Sequence, residues 1–413
     1  MKKLMILGAS ILQLPAIEQA KKMGVEVIAV DMNPNAIGFE VEGITKEIIS
    51  TIDIDKVLLA AKLHNIDGIM TLASDMPMRT VAVVAKEMRL VGISEETALK
   101  ATNKAVMREA LKENGVPIPY FFRISNKNEY FKAIDYFKDK QIKCIVKPAD
   151  NSGSRGVDLI SDFINNDSIN AAFEYSKQYS RGGEIIVEEY MEGPEVSVEA
   201  LSIDGVCHVI QITDKLTTGA PYFVEMGHNE PSMLNQSIQE DIVQIACDAV
   251  NAIGIKNGPS HIEIKVTKDG PKIVELGARL GGDNITTHLV PLSTGVDLVE
   301  CCIRVALGEI PDFNSKIKKS SAIRYLKTKA GVISAINGVD DAMKVNGVCQ
   351  ISIVHHEGEH VGEIRSSVDR VGFVIAQAET PNQAIEICER AIRKIEVKVE
   401  EWYENSDCNT YSL

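Results

Sequence analysis

The sequence predicts a mixed fold: an α/β domain with a doubly wound parallel sheet, followed by α+β sections built on antiparallel strands. Three observations predict it. The first hundred residues alternate short apolar runs with amphipathic stretches, the βα rhythm of a parallel sheet. From residue 195 the pattern tightens into strand–turn–strand alternation. The length, 413 residues with 45% hydrophobic residues, exceeds what one core organises and implies about two to four domains.

Composition argues against several function classes. Charged residues make up 25% of the chain and no long polar or repetitive tract interrupts it, so the whole chain is expected to fold. A net charge of −14 argues against general attraction to nucleic acid or to an anionic membrane. The apolar runs fall short of the ~20 residues a membrane span needs. The opening Met1-Lys-Lys-Leu-Met-Ile-Leu-Gly8 resembles a signal peptide, but its apolar run is too short and leads into a helix pattern, so it reads as a first core strand. Eight cysteines include no C-x-x-C pair and sit mostly in apolar patterns, which points to a reducing cytoplasm and away from zinc.

In chain order, Leu4–Leu7 reads as a strand, Pro15–Met23 as a helix stopped by Gly24, and Val25–Val30 as a strand. A helix at Asp53–Leu63, a strand at Gly68–Thr71 and a helix at Met78–Met88 follow. Apolar runs of this kind suit parallel strands buried on both faces. Asn103–Asn114 is a helix closed by Gly115, and Val116-Pro-Ile-Pro119 is extended. Strands come next at Cys144–Lys147, Val157–Ile160 and Ile185–Glu189, with a helix over 167–179. Further strands span Glu195–Ile203, Val206–Thr213, Ser260–Thr267 and Lys272–Leu276. The last section has strands at 321–327 and 349–355 and a helix at 382–398.

Two glycine turns differ in meaning. Gly8 follows the first strand and Asp31 ends the second, as in a dinucleotide-binding unit, but the second and third glycines of that fingerprint are missing. This reads as a tight scaffold turn, and no Walker A sequence is present. The other turn is Asp150-Asn-Ser-Gly-Ser-Arg-Gly156, placed between two strands and just after Lys147-Pro148. Its glycines and serines let the backbone approach phosphate oxygens, and Lys147 and Arg155 add cationic charge. A hairpin of this composition suits a lid over a triphosphate.

The segment from His261 to Arg279 carries two alternating strands around Asp269-Gly270, a hairpin signal. A three-residue loop, Lys268–Gly270, pairs Thr267 with Pro271 and puts Glu263 opposite Glu275 on one face, whereas a two-residue loop would put them on opposite faces. Carboxylates that close need neutralising, and a hard divalent cation shared with nucleotide phosphates does so. Arg279, four residues beyond Glu275, reaches the same region and suits a transferring phosphoryl group. Upstream, Ile186-Val-Glu-Glu-Tyr-Met-Glu-Gly-Pro-Glu195 offers backbone groups for an adenine edge and places Glu195 for ribose hydroxyls.

These residues, in this order over roughly 1–310, resemble the ATP-grasp superfamily. The resemblance implies that Lys104 and Lys147 bind ATP phosphates under a glycine loop comprising Ser152, Gly153, Ser154, Arg155 and Gly156. It implies an adenine hinge at Glu188 and Tyr190, ribose held by Glu195, and Mg²⁺ (with Mn²⁺ able to substitute) on Glu263 and Glu275. Arg279 would stabilise the acyl-phosphate transition state. Many members carry Asn two residues after the second metal Glu; here that position is Gly277, which implies a thinner metal shell with a water in place of the missing oxygen. The expected domains are a pre-ATP-grasp domain at 1–102, a lid subdomain at 103–190, a large subdomain with the metal site at 191–310, and a C-terminal α+β domain at 311–413.

Within the superfamily the chain resembles the L-amino acid ligases of the bacilysin-synthetase type, through Tyr222-Phe-Val-Glu-Met-Gly-His-Asn-Glu-Pro-Ser232. That likeness places Glu225 and His228 at an amino-acid site, with His228 orienting substrate or handling a proton. Ser74 and Asp75, in a turn after a strand of the first domain, point to the same cleft by switch-point geometry; helix capping is the alternative role for Asp75. Arg324 would bring a C-terminal cation to the substrate carboxylate, and Asp283 would face the acceptor. The expected activity is ATP-dependent joining of a small-molecule carboxylate, an amino acid, to an amine in the cytoplasm, with neither nucleic acid nor membrane as partner and a homodimer left open. The rival expectations are a carbamoyl-phosphate-synthase-like or purine-pathway ligase, and a nucleotide-binding module without catalysis.

Overall fold

The computed structural model describes residues 1–400 except Ser152 and Ser154. At the N-terminus four parallel strands lie in the order Thr45–Glu47, Glu26–Val30, Lys3–Leu7, Gly68–Met70. Both faces of this sheet are apolar, as the continuous apolar runs required. Met5, Leu7, Ile28 and Val30 pack toward the helices Ile54–His64 and Met78–Met88. Leu4, Ile6, Val27 and Ala29 pack toward the helices Leu14–Lys22 and Leu298–Ala306. The chain leaves strand Lys3–Leu7 to one side and returns on the other, so a crevice opens beyond the carboxyl ends of Lys3–Leu7 and Gly68–Met70. Gly8 and the turn Leu72–Asp75 stand there. Asp31 accepts the Ala9 N–H at 2.8 Å, tying off this turn internally.

The section expected as a lid, 103–190, contains an antiparallel sheet in the order Phe121–Ile124, Ile185–Glu189, Cys144–Pro148, Asp158–Ile160. Helices Lys127–Lys140 and Asn166–Tyr179 cover it through Tyr130, Phe137, Ile169 and Phe173.

The largest sheet is antiparallel and eight-stranded. Its order is Gly270–Gly277, Gly258–Thr267, Glu195–Ile203, Val206–Thr217, Glu225–Glu230, Ser320–Tyr325, Gly372–Ala378, Val348–Ile353. The section from 311 onward therefore contributes three strands to the sheet that carries the acidic hairpin. A small sheet of His360–Val361, Gly331–Asn337 and Glu396–Glu400 completes it. No described helix is long and apolar enough to cross a membrane.

Three of the differences from expectation bear on the large sheet and the C-terminal section. The helix expected over 382–398 ends at Ile392, and Glu396–Glu400 is a strand. Ile395, Val397 and Val399 recur every second residue, the period of a strand and not of a helix. The strand beginning at Val206 runs on to Thr217, carrying Asp214 and Lys215 into the sheet. Helix Gln236–Ile253, with no counterpart among the expected elements, buries Ile242, Ala246, Ala249, Val250 and Ile253 against the far face of the sheet.

Candidate active site

Strand alternation divides the large sheet into two chemically opposite faces. Val196, Val198 and Ala200 point into the core with helix Gln236–Ile253. Glu195, Ser197 and Glu199 point the other way, and the register sets them opposite Lys265, Glu263 and His261 respectively. Lys215, from the neighbouring strand, enters the same face with its side chain 3% exposed and lies 2.7 Å from Glu195, 3.1 Å from Glu263 and 3.5 Å from Glu225. Burial disfavours its charge, but these three carboxylates hold its pKa well above the ordinary lysine value. Lys265 adds a second contact to Glu195 at 3.0 Å. Glu195 is thus between two lysines, and Glu225 reaches the same cluster.

Glu263 and Glu275 lie directly opposite one another. The route to that register is not the expected one. The turn is Lys268-Asp269 alone, with Thr267 paired to Gly270 and Val266 to Pro271. A bulge between Glu263 and Ile264 then shifts the register by one residue and restores the pairing that an even turn would have destroyed. Lys104 Nζ donates to Glu275 at 2.7 Å and to the Asn151 carbonyl at 2.6 Å. On the other side His261 bridges toward Glu263, Nε2 at 3.6 Å, while its Nδ1 meets Glu199. Burial opposes its charge, yet Glu199 raises the His261 pKa to about 9. Among the described residues no group of three or more His, Cys, Asp or Glu side chains converges as a metal cage. Two facing hard carboxylates without sulfur ligands fit Mg²⁺, which takes its remaining ligands from phosphate and water.

The lid contributes a buried ionic cluster. Glu188 bonds to Lys147 and, at 3.0 Å, to Arg108 Nε. Burial works against the carboxylate, but Arg108 and Lys147 hold its pKa down to about 2. Glu188 thus turns its side chain onto the phosphate-binding lysine candidate, and Arg108, a side chain 1% exposed, is its second partner. A cavity between lid and large sheet is lined by Lys104, Lys147, Arg155, Glu195, Lys215 and Glu275, with Ile145, Tyr190, Met191 and Phe223 forming an apolar wall. Tyr190 and Phe223 have ring centroids 6.0 Å apart. Gly153 also lines this cavity, and Gly156, at φ +76°, closes the turn beneath it. Ser152 and Ser154 lie outside the described residues.

Among the residues expected at the substrate, Asp75 takes two hydrogen bonds from Arg279, at 2.8 Å from Nε and 3.0 Å from Nη2. Pro77 precedes helix Met78–Met88 without a side-chain cap, so Asp75 does not cap that helix. Ser74 sits beside it in the same turn, after Ala73 at φ +52°. His228 is buried, with Nε2 3.3 Å from Asp283 Oδ2. Asp283 is also gripped by Arg370 at 2.7 and 2.8 Å, so its carboxylate is engaged by protein groups and is not left open toward an acceptor as expected. Arg370 further donates to the Glu225 carbonyl at 3.0 Å and stacks 3.7 Å over the Tyr325 ring. Arg324 does not join this group. It pairs with Gly227, while His228 pairs with Ile323, so strand alternation turns Arg324 to the opposite face. There it shares a face with Ala322, in the cluster with helix Pro381–Ile392. The C-terminal arginine that reaches Asp283, beside His228, is Arg370.

Residues 140–287 match the family described as ATP-grasp domain, and residues 324–400 match L-amino acid ligase C-terminal domain 2. The L-arginine-specific L-amino acid ligase of Bacillus subtilis is 26% identical over 293 residues, covering 67% of this chain and 67% of that protein. The phosphoribosylamine–glycine ligase of Methanocaldococcus jannaschii is 24% identical, covering 78% and 77%. The fold is that of the crystal structure of an L-amino acid ligase from Bacillus licheniformis, with a TM-score of 0.81 at 21% identity over 97% of this chain and 99% of the other. Two facing carboxylates, lysines around a cavity and an arginine at the hairpin's end thus accompany an ATP-grasp domain, which is followed in this chain by a C-terminal domain of the L-amino acid ligase type, and the chain is similar to both amino-acid and purine-pathway ligases.

Proposed function

We propose that this protein joins an amino acid, through an acyl phosphate, to an amine at the expense of ATP. The observation that carries the reading is the placement of Arg279, held by Asp75, beside Glu275 and Lys104. Charge develops there when a phosphoryl group moves to a carboxylate.

In this reading Lys104 and Lys147 hold ATP phosphates, and the apolar wall of Tyr190 and Phe223 takes the base. Glu195, fixed between Lys215 and Lys265, accepts ribose hydroxyls. Glu263 and Glu275 would hold Mg²⁺ (or Mn²⁺), whose charge offsets that of the phosphate oxygens. The substrate carboxylate attacks the γ-phosphorus in line; the new O–P bond forms as the bond to the β-phosphate oxygen breaks, and ADP leaves. Arg279 faces the transferring oxygens, and Asp75 holds its planar guanidinium in a fixed orientation so that little reorganisation is needed. An amine then attacks the acyl carbon, the C–O bond to phosphate breaks, and the amine gives up a proton. The lid turn 150–156 shields the acyl phosphate from water. Glu225 and His228 belong to the acyl side, where Asp283 and Arg370 fix the imidazole.

The purine-pathway reading calls for cations to meet a phosphorylated substrate near 74–79 or 320–327. Arg324 faces away, which favours the amino-acid reading. The test is release of phosphate from Mg·ATP across pooled amino acids, with hydroxylamine added to trap the acyl phosphate as a hydroxamate. Absence of both products with every carboxylate offered would sink the proposal.

A further inference from the structure

Glu199 and His261 are buried on the polar face of the large sheet, 0% and 7% exposed. In the reaction proposed above neither holds nucleotide, cation or substrate. The sheet register fixes their neighbours. His261 stands between Glu199, on strand Glu195–Ile203, and Gly277, on strand Gly270–Gly277. Glu263 lies on the same face, on the same strand as His261. The Glu199 carboxylate divides its oxygens. Oε1 meets His261 Nδ1, and Oε2 accepts the Gly281 N–H at 3.3 Å. The other ring nitrogen of His261 faces Glu263 at 3.6 Å. The Gly281 carbonyl in turn accepts from Thr286, itself fully buried, at 2.8 Å. A continuous line of contacts therefore runs from Glu263, through the imidazole and the Glu199 carboxylate, to the turn that follows Arg279. Gly281 belongs to this line by its size. A Cβ there would stand 2.5 Å from Glu199 Oε1 and 2.6 Å from His261 Nδ1. The carboxylate has little room to swing aside, because it is enclosed and engaged at both oxygens.

We propose that Glu199 and His261 are positioning residues: as one unit they fix the Glu263 carboxylate relative to the turn 279–283, and so set the spacing between the cation and the phosphoryl group that Arg279 meets. The proposal rests on the ligase reading above and adds two residues that act through others. A glutamate that holds a cation is effective only if its own long side chain is held. Lys215 neutralises Glu263 but gives it little direction, since its ammonium is shared with Glu195 and Glu225. An imidazole gives direction. Its ring is planar, and once Nδ1 is pinned by an enclosed carboxylate the opposite nitrogen can aim only one way. Burial of Glu199 in the sheet costs hydration that its partners must offset. Those partners are His261 and the Gly281 amide, and both lead to the site. A role in the fold alone would be met by an apolar pair of similar volume. Such a pair would lack the two polar ends, one at Glu263 and one at Gly281.

Two substitutions approach the unit from opposite ends. His261→Asn keeps an amide nitrogen near the place of Nδ1, for Glu199, and removes the end that faces Glu263. Gly281→Ala removes no polar group and pushes the same pair from the turn. Both are compared with the unaltered protein by thermal melting, by Mn²⁺ titration in the presence of a non-hydrolysable ATP analogue, and by steady-state phosphate release from Mg·ATP. Each variant should bind Mn²⁺ about tenfold or more weakly and lose about tenfold or more in kcat, the usual effect of removing an outer partner of a metal ligand. The KM for the carboxylate substrate should stay near its original value, because Glu225 and His228 are untouched. Folded variants with unchanged Mn²⁺ affinity and kcat overturn the proposal. So does loss of the cooperative melting transition in both, which would make the pair a strut of the sheet, and so does an unaltered protein that binds no Mn²⁺ with the analogue. No phosphate release by the unaltered protein with any carboxylate offered is a separate result: it removes the ligase reading, and the Mn²⁺ titration then decides on the pair by itself.

Discussion

Asp75 and Arg279 join the first domain to the end of the acidic hairpin through two parallel hydrogen bonds, at 2.8 and 3.0 Å. Burial disfavours the Asp75 carboxylate, but Arg279 keeps its pKa below the ordinary value, so the pair is ionic. Asp75→Asn keeps the shape and removes the charge. It should lower kcat by about a hundredfold while leaving the KM for ATP near its original value, because the arginine loses its orientation and not its place. Arg279→Lys should do at least as much, since an ammonium cannot reproduce the fork. Steady-state kinetics with phosphate release as the readout distinguish these from a fold defect, provided thermal melting is compared in parallel.

Gly277 is bound to that same pair. A Cβ at this position would stand 2.9 Å from Asp75 Oδ1 and 3.3 Å from Arg279 Cζ. Asn is common here in the superfamily, yet in this chain it would push the carboxylate and guanidinium apart. Gly277→Asn should therefore reduce turnover and stability, by about 1–3 kcal/mol in the latter, instead of tightening the metal site. Mn²⁺ affinity measured by titration in the presence of a non-hydrolysable ATP analogue should not improve; a clear gain would show that the asparagine oxygen reaches the metal after all.

The parallel domain was legible because its strands are buried on both faces and announce themselves as apolar runs. The facing of Glu263 and Glu275 was legible only in outcome: the turn signal at Asp269-Gly270 was real, but the register depends on a bulge near Ile264 that no local residue choice marks. Lys215 was out of reach of sequence reasoning. Asp214-Lys215 looks like the polar end of a strand, and only the convergence of Glu195, Glu225 and Glu263 from three other strands makes a buried lysine tolerable there. Arg370 is 87 residues from Asp283, and its role exists only in the tertiary fold. Arg324 failed for a simpler reason: strand parity decides which face a side chain takes, and parity cannot be read without the register of its neighbours.

Lys215 should behave as a structural cation as much as a ligand-binding one. Lys215→Met leaves Glu195, Glu225 and Glu263 close together without it, so the protein should lose about 3–5 kcal/mol of stability, the usual consequence of removing one partner of a buried ionic group. Added Mg²⁺ should stabilise the variant more than the unaltered protein, because the freed carboxylates become available to it. Chemical denaturation with and without Mg²⁺ measures both effects. Equal Mg²⁺ responses would mean that Lys215 does not compete for Glu263.

Glu230 offers a test that does not involve catalysis. It is fully buried, with Thr213 at 2.9 Å and Ser293 at 2.8 Å as its hydrogen-bond partners, and it forms no ion pair among the described residues. Burial, with a smaller contribution from Glu199, raises its pKa to about 8. The folded protein therefore keeps this proton in a range where the unfolded chain, with the ordinary glutamate value of 4.5, has released it. The stabilising contribution is fully present below the unfolded value and is lost as pH rises toward about 8, with a slope of at most about 1.4 kcal/mol per pH unit. Glu230→Gln cannot ionise, so the variant should gain on the unaltered protein steadily between pH 5 and pH 8, and the two stability curves should run parallel above that range. Denaturant midpoints measured at intervals of pH give the comparison directly. Parallel curves throughout pH 5 to 8 would show that Glu230 is ionised in the folded state and that another group compensates its charge.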